Sequence, residues 1–209
     1  MKVGFLHTAA GHVDLFDGLL QQLDDTATAL HRIDEGLLEA VSRGEPSDQV
    51  GLMLAQPLRS LADAGCAALA CTCSTLGAMA EGQVFNGLVV QRIDRAAADY
   101  LVTRPRVLVL AALASAGEAA DALLEQSARR QGSDSGWLVA LVPGAWQAFL
   151  KADIAGYHEQ IANFANEFSD EYDALFLAQA SMAGAASACR HQDVVTSPER
   201  GVRRLLGLD

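Results

Sequence analysis

Two cysteines one residue apart, Cys71 and Cys73, stand where an apolar run gives way to hydroxyl side chains: residues 67–81 read AALACTCSTLGAMAE. The run Ala67–Ala70 followed by Cys71-Thr72-Cys73-Ser74-Thr75, with apolar residues resuming at Leu76, Ala78, Met79 and Ala80, predicts a buried strand emptying into a helix. The first N–H groups of such a helix have no intrahelical partner and point back at the loop, so they favour a thiolate on Cys73 or a ligand carboxylate. That setting lowers a thiol from its ordinary pKa of ~8.5. Ser74 and Thr75 follow Cys73 directly and add hydroxyl donors, which makes Cys73 preferable to Cys71 as the reactive thiol. The competing reading is a buried thiol packing as a small hydrophobe, the default for Cys66 and Cys189.

Other residues with chemical potential lie at the ends of apolar runs. His7 is either a general acid or base suited to neutral pH or a structural histidine bonded to backbone, and Thr8 beside it is a candidate carboxylate donor. Asp34 and Glu35 fit helix capping better than amine binding. Ser115 opens a helix, as cap or as ligand donor. Gln179, Ala180 and Ser181 follow a later strand. His12, His31 and His158 fall in helical or strand-like segments and read as structural or solvated. Cys71-x-Cys73 with Cys189-x-His191 supplies four zinc-type ligands, but Cys-x-Cys is not a common finger spacing, so no metal is expected.

The elements that must position these groups alternate. Lys2–Leu6 reads as a strand and Val13–Leu23 as a helix; Thr26–Ile33 is a strand, followed by an amphipathic segment from Gly36 to Ser42. Ser47–Ala64 is a long helix that Pro57 should kink or break. Strands Cys66–Cys71 and Gly87–Ile93 and a helix over Asp94–Val102 complete a first half. Thr103-Arg104-Pro105-Arg106 is polar and Pro-bearing, and a boundary is expected there.

The second half repeats the order: strand Val107–Ala112, helix Ser115–Arg130, strand Trp137–Val142, helix Ala145–Phe168 interrupted near Asp153, and strand Tyr172–Ala178. Val3 to Val107 is a shift of 104 residues and Cys73 to Gln179 one of 106, so two landmarks agree on a duplication. Such alternation predicts an α/β fold of two pseudo-symmetric lobes, each a parallel sheet flanked by helices, with the strand-end junctions looking into one cleft. The lobes are expected over residues 1–103 and 104–184, the tail 185–209 completing the first through a Ser197-Pro198 helix.

With 51% hydrophobic and 20% charged residues, the chain is globular rather than disordered. No apolar run approaches the roughly 18 residues of a membrane span, and the N-terminus lacks the pattern of a secretory signal, so a cytoplasmic protein is expected. Fifteen basic against 26 acidic residues give a formal charge of −11, which disfavours nucleic acid and anionic membrane as partners.

The paired strand-end motifs resemble those of the aspartate/glutamate/hydantoin racemase superfamily. The likeness runs through His7-Thr8, the Ile33-Asp34-Glu35-Gly36-Leu37-Leu38 stretch, Cys73-Ser74-Thr75, Leu177-Ala178-Gln179-Ala180-Ser181-Met182 and the closing Ser-Pro helix. The resemblance implies cofactor-free proton transfer on a small anionic substrate by two cysteines, and a homodimer. The first cysteine falls on Cys73, or with a shifted alignment on Cys71; the second position is occupied by Gln179. An amide does not titrate at neutral pH, so two-thiol racemisation is in doubt. What stays open is an isomerase using Cys73 with His7 in place of the second thiol, a one-cysteine decarboxylase or other lyase, and a carboxylate-binding protein without turnover. The donors to the substrate would be Thr8, Ser74, Thr75, Ser115, Gln179, Ala180 and Ser181.

Overall fold

A computed structural model of the chain describes residues 1–168 and 170–208. Its contacts divide it into two units, residues 1–94 with 198–209 and residues 95–197.

In the first unit the elements are β1 (Lys2–His7), α1 (His12–Leu23), β2 (Thr28–Ile33), α2 (Gly36–Ser42), α3 (Ser47–Asp63), β3 (Ala68–Cys71), α4 (Ser74–Ala80), β4 (Val84–Phe85) and β5 (Leu88–Arg92). The sheet order is β2-β1-β3-β5-β4, parallel except for the antiparallel β4–β5 hairpin. That hairpin is an addition to the expected elements. It turns on Asn86-Gly87, both with positive φ (50° and 81°), the geometry for which this dipeptide is favoured in two-residue hairpins. Of the kink or break that Pro57 predicts, the break is absent: α3 continues as helix through it.

The second unit contains α5 (Arg95–Leu101), β6 (Arg106–Ala111), α6 (Ala114–Gln131), β7 (Gly136–Leu141), α7 (Ala145–Leu150), α8 (Ile154–Asn166), β8 (Ala174–Leu177), a 3-10 helix (Ala180–Ala188) and β9 (Val194–Thr196). All pairings in its sheet, ordered β7-β6-β8-β9, are parallel. Strand by strand this matches β2-β1-β3-β5 of the first unit, and the registers agree: Val3 opposes Ala68 as Val107 opposes Ala174. The duplication inferred from two landmarks is therefore a duplication of topology.

The units part at Asp94/Arg95 rather than at the Pro-bearing linker 103–106, because the small residues of α5, Ala97 and Ala98, pack with Leu123 and Leu124 of α6. Residues 185–197 likewise stay with the second unit, since β9 pairs with β8; the first unit regains the chain only from Pro198, in α9 (Ser197–Leu206).

Alternation along the buried strands explains the layers. In β6 and β8, Val107, Val109, Ala111, Ala174 and Phe176 face one way, against α5 and α6. Leu108, Leu110, Leu175 and Leu177 face the other, against α7, α8 and the 3-10 helix. A strand covered on both faces must read as a continuous apolar run, which is why β1, β3, β6 and β8 were legible.

Candidate active site

The strand register of the first unit assembles the site. Leu6 of β1 opposes Cys71 of β3, the last pair of their register, and the Thr72 N–H donates to the Leu6 carbonyl just beyond it. His7 bonds Thr72, Nδ1 to Oγ1 at 2.8 Å, and the Thr8 side chain hydrogen-bonds the sulfur of Cys73. Two adjacent links thus tie the end of β1 to the end of β3.

Cys73 occupies the position just before α4 in extended conformation (φ −85°, ψ 116°) and is 9% exposed. The Thr8 side chain and the backbone N–H groups of Leu76 and Thr75 all favour a negative sulfur. Burial outweighs them, so the thiol lies above its ordinary value, not below it as the helix start alone suggested. Burial inside the sheet pushes the Cys71 thiol up as well, and that thiol donates to the Cys73 carbonyl at 3.8 Å. Of the two, only Cys73 has several hydrogen-bond donors converging on its sulfur.

The face of β1 that carries Phe5 and His7 also collects His31, because residue 31 of β2 opposes Phe5. α1 covers this face with His12, Phe16 and Asp17. His7 Nε2 lies 2.7 Å from His31 Nδ1, and His31 Nε2 lies 3.1 Å from Asp17 Oδ1. The His12 ring stands edge-on to His7 at 5.9 Å, and neither of its nitrogens, both buried, has a hydrogen-bond partner among the described residues.

His7 is therefore not placed to exchange protons with a substrate. It is 0% exposed and both ring nitrogens are engaged inside the protein. Burial, with the nearby His12 and His31, lowers its pKa to about 3; burial lowers His12 to about 4. His31 and His12, which the sequence offers as structural or solvated residues, belong with His7 to one cluster.

At the end of β5, Arg92 and Asp94 form a buried two-pronged ion pair, Nε to Oδ1 at 2.7 Å and Nη2 to Oδ2 at 2.9 Å. α4 reaches this pair through Gly77, where an added Cβ would meet Arg92 Nε at 2.9 Å. The pair was not anticipated, although two charges at alternate positions closing the apolar run Leu88–Ile93 were its signal.

In the second unit Gln179 follows β8 as Cys73 follows β3. Its Oε1 accepts from the backbone N–H groups of Ala112 (2.7 Å) and Leu113 (3.2 Å) at the end of β6. Two donors on the oxygen orient the amide and leave Nε2 to act as donor. Ala180 is buried at the start of the 3-10 helix. Ser181 is engaged with α8, its Oγ 2.9 Å from the Tyr157 hydroxyl and its carbonyl accepting from His158. Ser115 is the second residue of α6 rather than its cap, that place belonging to Leu113; Glu35 precedes α2, with no side-chain cap bond. Both ring nitrogens of His191 are taken, by the Tyr172 carbonyl and the Asp193 N–H. No group of three or more His, Cys, Asp and Glu among the described residues is placed to hold a metal. No described helix is long and apolar enough to cross a membrane.

Two α/β units with the same parallel strand order, and matching junctions after the third strand of each, make the pseudo-symmetric α/β fold that the sequence resemblance implied. Neither a protein-family model nor a curated protein sequence matches the chain. Among solved structures it is similar to an aspartate racemase from Picrophilus torridus, at 16% identity and a TM-score of 0.75 over 99% of this chain and 93% of that one. It is similar as well to a glutamate racemase from Francisella tularensis in complex with D-glutamate (15% identity, TM-score 0.72, 99% of this chain and 80% of that one). An arylmalonate decarboxylase shares the fold at 16% identity and a TM-score of 0.57, over 100% of this chain and 92% of that one.

Proposed function

We propose that the protein is a cofactor-independent enzyme acting at the α-carbon of a small carboxylate, an amino acid, hydantoin or dicarboxylic acid, with Cys73 as the group that exchanges a proton with the substrate. The observation that supports this most directly is the convergence of the Thr8 side chain and the Thr75 and Leu76 N–H groups on the Cys73 sulfur. As an isomerase, the Cys73 thiolate takes the α-hydrogen as a proton: the C–H bond breaks, an S–H bond forms, and the electron pair left on carbon spreads into the neighbouring carboxylate. Water returns a proton to the opposite face of that carbon, which gives the isomer, and the hydroxide so formed takes the proton from the Cys73 S–H. The hydroxyls of Ser74 and Thr75 serve the substrate carboxylate, Thr8 holds the sulfur, and Gln179 is a carboxylate donor through Nε2.

Two observations favour a lyase as the second reading. Burial keeps the Cys73 thiol protonated, and Gln179 has no proton to exchange. In that reaction one carboxylate of a malonate-like substrate leaves as carbon dioxide, its bonding pair stays on carbon, and the Cys73 S–H protonates that carbon; the thiolate then recovers a proton from water.

One experiment separates the readings. The protein is incubated in deuterium oxide with amino acids, hydantoins, dicarboxylic acids and substituted malonates, while α-deuterium and carbon dioxide are measured. Deuterium without carbon dioxide identifies the isomerase, and carbon dioxide with one deuterium in the product the lyase. Binding with neither product overturns catalysis and leaves a carboxylate-binding protein.

A further inference from the structure

The chain Asp17–His31–His7–Thr72 has a direction that its weakest hydrogen-bonding member imposes. A carboxylate only accepts, so the 3.1 Å contact between Asp17 Oδ1 and His31 Nε2 requires hydrogen on that nitrogen. With neutral rings His31 Nδ1 is then an acceptor, and the 2.7 Å contact places hydrogen on His7 Nε2. His7 Nδ1 is left bare, and at 2.8 Å it receives the Thr72 hydroxyl. The same hydroxyl lies 3.1 Å from the Leu6 carbonyl, its alternative acceptor, so Thr72 has two orientations to choose between.

We propose that Asp17 and His31 are positioning residues that fix His7 as its Nε2–H tautomer and thereby turn the Thr72 hydroxyl toward His7, holding the link beside Thr8 and Cys73. This rests on the reading of Cys73 as the reacting group. The gradient of exposure suits the role: the side chains of Asp17 and His31 are 56% and 14% exposed and Thr72 is 2% exposed, so a surface carboxylate governs a buried hydroxyl. The groups facing the two imidazoles are Asp17, His12 and Phe16 from α1, Phe5 from β1 and Thr72 after β3; the Arg32 guanidinium donates to the His31 carbonyl and the Ser60 hydroxyl. Neither His12 nor Phe16 supplies a competing acceptor to His7 in the geometry found. Addition of a third hydrogen to the pair of rings places one on His7 Nδ1 and sends the Thr72 hydroxyl to Leu6.

The test is two-bond proton–nitrogen NMR of the histidine rings in the full-length protein at pH 7.5, for wild type, Asp17→Asn and His31→Phe. The wild type should show His7 with a protonated Nε2 and a bare Nδ1. Asp17→Asn, whose amide can donate or accept, and His31→Phe should both give mixed His7 tautomers. The pH midpoint for iodoacetamide labelling of Cys73 should then move upward, because a loosened Thr8 bond no longer favours the thiolate. A wild-type His7 protonated on Nδ1, or a tautomer unchanged in both variants, overturns the proposal. So does a tautomer that shifts while Cys73 labelling stays fixed. Asp17→Asn, at the surface, keeps the test valid if His31→Phe does not fold. Failure of the Cys73 reading shows separately, as turnover that survives Cys73→Ala.

Discussion

His7 Nδ1 and Thr72 Oγ1 are 2.8 Å apart, one residue back along each segment from Thr8 and Cys73. The strand ends are therefore joined by a buried imidazole at one step and held against a thiol at the next. This arrangement uses the histidine that the sequence offers as an acid or base to hold the thiol's surroundings.

Acid stability follows from the same cluster. His7 and His12 have folded-state values of about 3 and about 4, against roughly 6.5 in an unfolded chain. Below ~6.5 the unfolded state binds protons that the folded state refuses, so stability is intact above that pH and falls as pH drops toward 4. Each ring contributes a slope of about 1.4 kcal/mol per pH unit. Urea unfolding at pH 7 and pH 5 should show a loss of about 4 kcal/mol in the wild type and about 2 kcal/mol in His12→Phe. Equal losses in the two proteins would rule out a buried neutral His12.

Gln179 is expected to have separable structural and chemical roles. Gln179→Glu keeps an acceptor for Ala112 and Leu113 and should remain within about 1 kcal/mol of wild type, yet raise KM for a carboxylate substrate because the Nε2 donor becomes a negative oxygen. Gln179→Leu leaves both N–H groups without this partner and should cost about 1–3 kcal/mol. Denaturation midpoints with steady-state kinetics check both, and an unchanged KM in Gln179→Glu contradicts the donor role.

The Arg92–Asp94 pair is a structural anchor for the end of β5 and for α4. Asp94→Ala leaves a guanidinium buried beside Gly77 without its partner, and a loss of about 3–5 kcal/mol is expected in chemical denaturation. A loss below about 1 kcal/mol would show that the pair is solvated in solution.

Sequence reading recovered the elements wherever burial on both faces wrote itself as an unbroken apolar run, as in Val107–Ala111, and wherever a duplication could be checked by spacing. It missed β4, whose two residues carry no periodicity, although Asn86-Gly87 was a usable hairpin signal. The boundary at Asp94 escaped because α5 is joined to the second unit by alanine packing, and the charges before it, Arg92 and Asp94, are buried as an ion pair instead of forming an exposed linker. Cys73 was legible from its junction, but the sign of its shift was not: helix start and hydroxyls are visible in a sequence, whereas the depth of burial that overrides them is not. The Asp17–His31–His7 chain depends on a parallel register placing residue 31 beside residue 5, information that belongs to the pairing of strands.

The proposed chemistry stands or falls with the Cys73 thiol as the proton-exchanging group. Its most direct test is the rate of α-deuterium incorporation, with carbon dioxide release measured alongside, for the wild type and Cys73→Ala on whichever carboxylate the wild type turns over. Both signals should fall at least a thousandfold in Cys73→Ala while the fold and the His7 NMR signature persist; wild-type rates in that variant would rule out Cys73 as the proton-exchanging group.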